Sequence, residues 1–374
     1  MIGLLTFLCS CNNDTLELKQ VGKQMFETDF VPSNKFSGVY KNESTGKEYI
    51  YLGNGKTEKS VSFFSLNGEF VKTINFRQAT EFQDLNDISI WSLDTILVLS
   101  KLNNSVLFIN SNGKCIHEIN LEDLTTDPLE FESSWNSDFL YKQNLYFHVY
   151  PDFSNLKTTS ESQLEYYNKS RFFPYILKVE NLIDSESTAT LLIDSFYANF
   201  IPLNYMKDDI PLYSLSNDKI NIISLIPDTL YCYDLNGKIY KKCFVEYEEK
   251  TMPHNRLFEN TKNNRIKAQD HTLWQTRNAS FLSKIIEANK TGFKYLFAYH
   301  KFEGNEEDCW DKRNWSWLVY NEDFNKLQEF VIKDYSVSPT FSFSTSKGVF
   351  IKVKPKFITN YEPTKTHFNI YTVE

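Results

Sequence analysis

A strand–turn–strand pattern recurs along this chain of 374 residues. In each copy a run of β-branched and aromatic residues leads into a polar turn, and a second strand-like run follows. The copies occupy residues 61–72, 106–116, 230–240 and, with the turn glycine replaced, 317–327. A unit that recurs at a long interval is the signature of a repeat architecture. The pattern therefore predicts an array of similar small sheets.

Two less regular units raise the count of repeats to six. One is a degenerate hairpin that begins at residue 174 and returns at 189–194, and the other is built from the strand-like runs of residues 340–373. Further short strands precede each hairpin, so each unit has about four, as in a propeller blade. We therefore predict an all-β, six-bladed β-propeller of four-stranded antiparallel blades. Residues 15–19 can pair with the last unit, which would close the ring and remove exposed strand edges.

A β-sandwich is the alternative fold. The hairpin strands are apolar on both faces, as Val61, Phe63 and Phe64 illustrate. A strand with one solvated face would alternate between apolar and polar residues. Apolar residues on both faces instead favour blades that are stacked between neighbours.

The extreme N-terminus has the features of a targeting segment. Residues 1–11 are apolar, and Leu8-Cys9-Ser10-Cys11 resembles the bacterial lipoprotein signal, which predicts that Cys11 is lipidated. A secretory leader needs a basic region before its apolar stretch, so we expect the true start to lie upstream. The alternative is an apolar N-terminal strand in which the two cysteines are incidental. The predicted organisation is a leader remnant at 1–11, a tether and ring-closing strand at 12–35, and the propeller at 36–374.

Composition narrows the classes of partner. The net charge is −8, and the sequence has no basic run of the kind that binds phosphates, which disfavours nucleic acid. No stretch of about 20 consecutive apolar residues occurs, so we expect no membrane span. We expect attachment to the cell envelope, at the outer membrane, through a lipid anchor alone. The sequence leaves open which membrane face the protein occupies.

Four further cysteines are scattered through the strands: Cys115, Cys232, Cys243 and Cys309. Neither register of the third hairpin brings Cys232 and Cys243 to the separation that a disulfide requires. We therefore expect these four residues to be buried free thiols.

Several segments, in chain order, carry a resemblance to a known family. Residues 87–97, 173–177, 280–286, 317–329 and 346–351 resemble an uncharacterised family of Bacteroidota lipoproteins, a domain of unknown function with a TolB-like six-bladed propeller. The resemblance implies a six-bladed fold, a lipid anchor and no established activity.

Catalytic motifs are not evident in the sequence. It has no Gly-x-Ser-x-Gly elbow, and its six histidines do not have the spacing of a helical zinc site. Gly55-Lys56-Thr57 lacks the earlier glycine of a phosphate loop and is interpreted as a turn. We therefore expect no cofactor, no metal and no catalytic residue. The connection at 306–317, rich in acids and tryptophan, could form a sugar-stacking rim, but the favoured interpretation is that Trp315 and Trp317 pack between blades.

Loops that lead from one blade to the next surround one mouth of a propeller channel and are the expected place for a site. The conspicuous side chains of these loops and of the acid-rich connection are the candidate ligand-binding residues: Arg77, Trp135, Asp208, Asp209, Arg256, Arg277, Trp310 and Tyr335. The favoured function is a lipid-anchored envelope propeller that serves as a ligand-binding or protein-interaction scaffold for a protein, peptide or glycan. The alternative is an envelope enzyme that acts on polysaccharide, with its site at the channel mouth and two carboxyl groups over an aromatic pocket.

Overall fold

The structure is a computed structural model. It describes the residues 16–55, 57–77, 85–100, 103–125, 129–132, 139–151, 175–183, 186–194, 212–224, 229–248, 280–289, 291–300 and 313–374.

The described strands form six antiparallel sheets that follow one another along the chain. The chain begins with β1 (Leu18–Glu27). The first blade contains β2 (Ser33–Lys41), β3 (Glu48–Asn54), β4 (Ser60–Ser65) and β5 (Phe70–Asn75). The second contains β6 (Leu85–Ser92), β7 (Thr95–Ser100), β8 (Ser105–Asn110) and β9 (Cys115–Asn120). The third contains β10 (Leu129–Glu132), β11 (Leu140–Tyr141), β12 (Asn144–Pro151), β13 (Ile176–Glu180) and β14 (Thr188–Leu192).

The remaining three blades complete the ring. The fourth contains β15 (Leu212–Ser216), β16 (Lys219–Ser224), β17 (Thr229–Asp234) and β18 (Ile239–Phe244). The fifth contains β19 (Phe281–Glu287), β20 (Lys294–Tyr299), β21 (Trp315–Tyr320) and β22 (Lys326–Ile332). The sixth contains β23 (Val337–Thr345), β24 (Gly348–Val353) and β25 (Lys365–Val373), with β1 as its outer strand. Two short 3₁₀ turns occur at Glu122–Leu124 and Pro355–Phe357.

The sequence-based prediction of six blades closed by the terminal strands is confirmed. Strand β1 pairs with β25 from Leu18 opposite Val373 to Glu27 opposite Lys365, so it extends well beyond the segment expected at 15–19. One blade departs from the four-strand pattern, since β10 and β11 both pair with β12 in the third blade. Among the described residues, no helix is long and apolar enough to span a membrane.

The closing strand also connects two neighbouring blades. Phe26 of β1 is fully buried. Its ring centre lies 5.8 Å from that of Phe368 in β25 and 5.3 Å from that of Phe64 in β4 of the first blade. Aromatic pairs at such distances contribute roughly 0.5–1.5 kcal/mol each beyond their buried area. The N-terminal strand therefore both completes the sixth blade and packs against the first.

The four recurring hairpins have the same type of turn. The first turn residue accepts hydrogen bonds at its side-chain oxygen from the backbone N–H groups two and four positions later, at Ser65, Asn110, Asp234 and Asn321. The fourth turn residue has a positive φ, which only glycine adopts without strain, and three copies have glycine there: Gly68, Gly113 and Gly237. The irregular copy uses Phe324 at φ 55° and buries its ring.

The blades are held together by apolar side chains on their facing surfaces. Trp315 and Trp317 are almost completely buried, in a cluster that includes Val349 and Val373 of the sixth blade. The Trp317 ring centre lies 6.1 Å from that of Tyr371 in β25. The expectation that these two tryptophans pack between blades is therefore confirmed.

The cysteines are largely as expected. Cys232 lies opposite Lys241, and Cys243 lies opposite Leu230, so the two thiols do not form a disulfide. Burial raises the pKa of Cys232 to about 12, and Cys243 is half-buried. Cys115 is a free thiol but is exposed, contrary to the expected burial, because it starts β9 at the outer edge of its blade. Cys309 lies outside the described residues.

The turn glycine of the second hairpin provides a stability prediction with a matched control. At Gly113, with φ 75°, an added Cβ would lie 1.9 Å from the carbonyl oxygen of Asn75 in the first blade. At Gly46, with φ 69°, an added Cβ would have no neighbour within 4 Å. Gly46→Ala should cost only the strain of the positive φ, about 1 kcal/mol. Gly113→Ala should cost at least about 2 kcal/mol more, because the turn must also move away from the neighbouring blade. Equal losses in the free energy of unfolding, measured in urea, would contradict this account of the turn.

Candidate functional site

A cavity of about 680 Å³ lies at the centre of the ring. Each of the six blades contributes side chains from its innermost strands. The lining includes, in blade order, Ser37 of β2, Asp87 of β6, Tyr141 of β11, Ser214 of β15, Lys284 of β19 and Ser342 of β23. The cavity is therefore the central channel of the propeller.

Hydrogen bonds between neighbouring blades indicate their order around this channel. The backbone N–H of Phe139 in the third blade donates to Ser89 Oγ of the second at 3.1 Å. The Tyr213 hydroxyl of the fourth blade donates to the backbone carbonyl of Tyr146 in the third at 2.7 Å. Neighbouring blades in the chain are thus neighbours in space, and β1 joins the sixth to the first. In such a ring the second and fifth blades face each other across the channel.

Four of the innermost strands have a bulge in their first half. The register of pairing shifts between Ser33 and Ser37, between Leu85 and Asp87, between Leu282 and Lys284, and between Ser338 and Ser342. The residue that resumes the pairing after each bulge is polar and lines the cavity: Ser37, Asp87, Lys284 and Ser342. A bulge bends its strand and changes the direction of the side chains that follow. The bulges therefore direct four polar side chains toward the channel.

Local hydrogen bonds hold these side chains in place. The hydroxyls of Ser37 and Ser342 each donate across their own bulge, to the carbonyls of Ser33 at 3.0 Å and Pro339 at 2.6 Å. Asp87 accepts the backbone N–H of Ile88 at 2.7 Å, and only 4% of its surface is exposed.

A cationic wall is formed where the fifth and sixth blades meet. Lys284 Nζ donates to the backbone carbonyl of Ser342 at 2.6 Å. Ser342 pairs with Ile351, the residue that precedes Lys352 in β24, and Lys352 also lines the cavity. Lys352 Nζ lies 6.0 Å from the ring centre of Phe341, and burial lowers the pKa of this ammonium to about 8.

At one end of the cavity lie turns of the third, fourth and fifth blades, and the acidic groups there form contacts within and between these blades. Glu287 forms a salt bridge of 2.6 Å with Lys294, whose side chain is only 2% exposed. The amide of Asn217, in the fourth blade, also donates to Glu287. The Tyr141 hydroxyl of the third blade accepts the backbone N–H of Asp218 at 2.9 Å. These contacts hold the turns of the third, fourth and fifth blades together.

A buried His–Ser–Glu chain lies outside this cavity. The Ser316 hydroxyl lies 2.7 Å from His300 Nε2 and donates to Glu329 at 2.5 Å. In a hydrolytic triad the imidazole lies between the nucleophile and the acid, whereas here the hydroxyl lies between the other two. Ser316 is completely buried. The arrangement is therefore a structural hydrogen-bond chain, since no substrate can reach its hydroxyl.

Two of the sequence-predicted ligand-binding residues are described, and neither is among the cavity-lining residues. Arg77 donates through Nε to the backbone carbonyl of Glu58 at 3.1 Å, and its guanidinium pairs with the Glu58 carboxylate. Tyr335 is 38% exposed, and its ring centre lies 5.9 Å from that of Phe357. The other candidates, together with the lipidation residue Cys11, lie outside the described residues, and their roles stay predictions: Trp135, Asp208, Asp209, Arg256, Arg277 and Trp310.

Sequence reasoning missed the polar residues that line the channel. A bulge has no fixed sequence pattern, so its position could not be predicted. One signal was present, since Asp87 is the single charge in β6 and Lys284 lies at the centre of β19 among apolar residues and a serine. A charge in a strand that is covered on both faces must point into a cavity or find a partner.

Metal binding finds no support in the part of the chain that the structure describes. There, no group of three or more histidine, cysteine, aspartate or glutamate side chains has the arrangement needed to hold an ion.

Taken together, the fold and the cavity define a six-bladed β-propeller with a polar central channel that carries charges of both signs. The sequence matches no protein-family model and no curated protein. Among solved structures it is similar to a member of the DUF4221 family from Bacteroides vulgatus, with 15% identity, a TM-score of 0.71 and coverage of 96% of this chain and 98% of the other. It is also similar to a candidate exported protein from Bacteroides fragilis, with 11% identity, a TM-score of 0.52 and coverage of 97% and 96%. At these identities the similarity shows the fold.

Proposed function

We propose that the protein is a ligand-binding propeller of the bacterial cell envelope and that the central channel is its binding site. One observation carries the proposal: all six blades line a single cavity of about 680 Å³. Sites for small molecules typically enclose roughly 300–1,000 Å³ and combine apolar walls with a few fixed polar groups. The four side chains that the bulges direct inward are such groups.

The envelope location is supported by the N-terminal motif and by one structural neighbour. Leu8-Cys9-Ser10-Cys11 has the pattern of a lipoprotein signal. The neighbour from Bacteroides fragilis is a candidate exported protein. Acyl chains contribute about 0.8 kcal/mol per buried methylene, so two or more chains on Cys11 would anchor the protein stably without a membrane span.

The protein-interaction role and the alternative, a polysaccharide-degrading enzyme with its site at the channel mouth, stay predictions. Most of the mouth loops on which both depend lie outside the described residues. The channel is the site that the described residues support.

Blocking the channel tests the binding function. Ser214 lines the cavity from β15, and Ser214→Trp should project an indole into it and obstruct it. Ser111 lies in the exposed turn between β8 and β9, so Ser111→Trp is a control of the same size change. The test is equilibrium dialysis of each protein against a small-molecule extract of bacterial cell envelopes, read by mass spectrometry. Compounds that the unmodified protein and Ser111→Trp retain should be lost by Ser214→Trp.

Retention of the same compounds by folded Ser214→Trp would show that they bind elsewhere. Failure of the unmodified protein to retain any compound would overturn the binding function.

Fractionation of cells tests the anchor. In a Bacteroides host that exports the protein, Cys11→Ala should move the protein from the membrane fraction to the soluble fraction and abolish labelling by an alkyne fatty acid. Cys9→Ala changes the neighbouring thiol and should leave both properties unchanged. An unaltered membrane fraction for Cys11→Ala would contradict lipidation at this residue.

A further inference from the structure

We propose that the outer edge of the sixth blade docks on the anionic lipid surface of the membrane that holds the anchor. The docking surface, which we call the sixth-blade edge, consists of Lys23 and Met25 of β1 and of Phe357 and Ile358 between β24 and β25. The inference rests on the proposed envelope location and lipid anchor, and it adds the orientation of the propeller on the membrane.

The length of chain after the anchor residue determines which part of the ring lies near the membrane. Leu18 is the first residue of β1 and follows Cys11 by seven positions. A fully extended chain covers at most about 3.6 Å per residue, so Leu18 would lie within about 25 Å of a lipidated Cys11. Strand β1 is the outer strand of the sixth blade. The anchor would therefore hold the outer edge of this blade close to the membrane.

The sixth-blade edge exposes apolar side chains around a cavity of about 360 Å³. Met25 and Phe357 are each 41% exposed, and both line the cavity together with Lys23 and Ile358. The ring centre of Tyr335, which is also exposed, lies 5.9 Å from that of Phe357. Single exposed apolar residues are common on protein surfaces, whereas a group of them around a cavity marks a place of contact.

The charge of this region is complementary to an anionic surface. The connection between β24 and β25, residues 354–365, contains three lysines and one glutamate, although the whole chain has a net charge of −8. Lys356 Nζ lies 5.3 Å from the ring centre of Phe357. Basic residues beside exposed aromatic and apolar side chains are typical of surfaces that bind the interface of anionic membranes. A lipid surface would accommodate both kinds of side chain at once.

The fourth blade has a second surface with the same kinds of side chain. Its outer strand, β18, exposes Ile239, Tyr240 and Phe244 and contains Lys241 and Lys242. This strand lies two blades away from β1 around the ring. Composition alone does not distinguish the two surfaces, but the position of the anchor favours the sixth-blade edge. The fourth blade therefore supplies matched controls.

Oxidative footprinting on vesicles tests the orientation. Full-length protein from the Bacteroides host is mixed with vesicles of phosphatidylcholine and phosphatidylglycerol, and hydroxyl-radical oxidation of each side chain is read by mass spectrometry. The controls are Phe70 of β5 and Phe244 of β18, which are more exposed than Met25 and Phe357. Relative to these controls, oxidation of Met25 and Phe357 should fall severalfold when vesicles are present. Equal protection of all four side chains, or no protection of Met25 and Phe357, would overturn the docking.

Vesicle flotation of the unlipidated Cys11→Ala protein measures the surface separately from the anchor. In this protein Lys23→Gln should weaken binding to the same vesicles about fivefold, the contribution of one basic residue near an anionic surface. Met25→Gln should weaken it by a similar factor, because a polar amide replaces an apolar side chain. Ile239→Gln and Lys242→Gln make matched changes at exposed residues of β18 and should leave binding unchanged. Circular dichroism checks that each variant is folded.

Distinct results separate the failure of this inference from that of the proposed function. Equal weakening by the variants of the two blades, or a larger loss for Ile239→Gln and Lys242→Gln, would overturn docking through the sixth-blade edge. A membrane fraction that depends on Cys11, without protection of Met25 and Phe357, would leave the anchor in place and overturn only the orientation. Fractionation of cells and dialysis against the envelope extract decide the anchor and the channel without reference to this surface.

Discussion

The pairing of β1 with β25 is the interaction on which the rest of the structure depends. It supplies the outer strand of the sixth blade from the opposite end of the chain. Each blade buries its apolar faces only against its two neighbours, so an open ring would expose two of those faces at once. Phe26 links the closing strand to two blades, because its ring packs against both the sixth and the first blade.

Closure also explains why the channel can hold charged groups. The packing between blades uses large apolar side chains such as Trp315 and Trp317. Bulges in four of the innermost strands are each followed by a polar residue that lines the cavity. The backbone of the blades places these residues, which is the kind of preorganisation that a selective site requires.

The parts of the fold that depend on local patterns could be predicted from the sequence. The first residue of the recurring turn has a side-chain oxygen, and the fourth residue is glycine in three copies. Phe324 stands in place of the glycine in the other copy, so the turn forms without it. The positions of Trp315 and Trp317 followed from the apolar character of both strand faces. The site could not be predicted in the same way, because bulges and the convergence of distant strands are tertiary features. Arg77 illustrates the limit, because no sequence pattern indicated that its guanidinium pairs with Glu58 of its own blade.

The central claim is that the interior of the ring, and not its surrounding loops, recognises the ligand. A crystal structure of the protein grown with a compound that it retains from the envelope extract tests it most directly. Electron density for that compound is expected within the channel, beside the side chains that follow the bulges. Density for the compound beside Arg77 or Tyr335, with an empty channel, would contradict this claim.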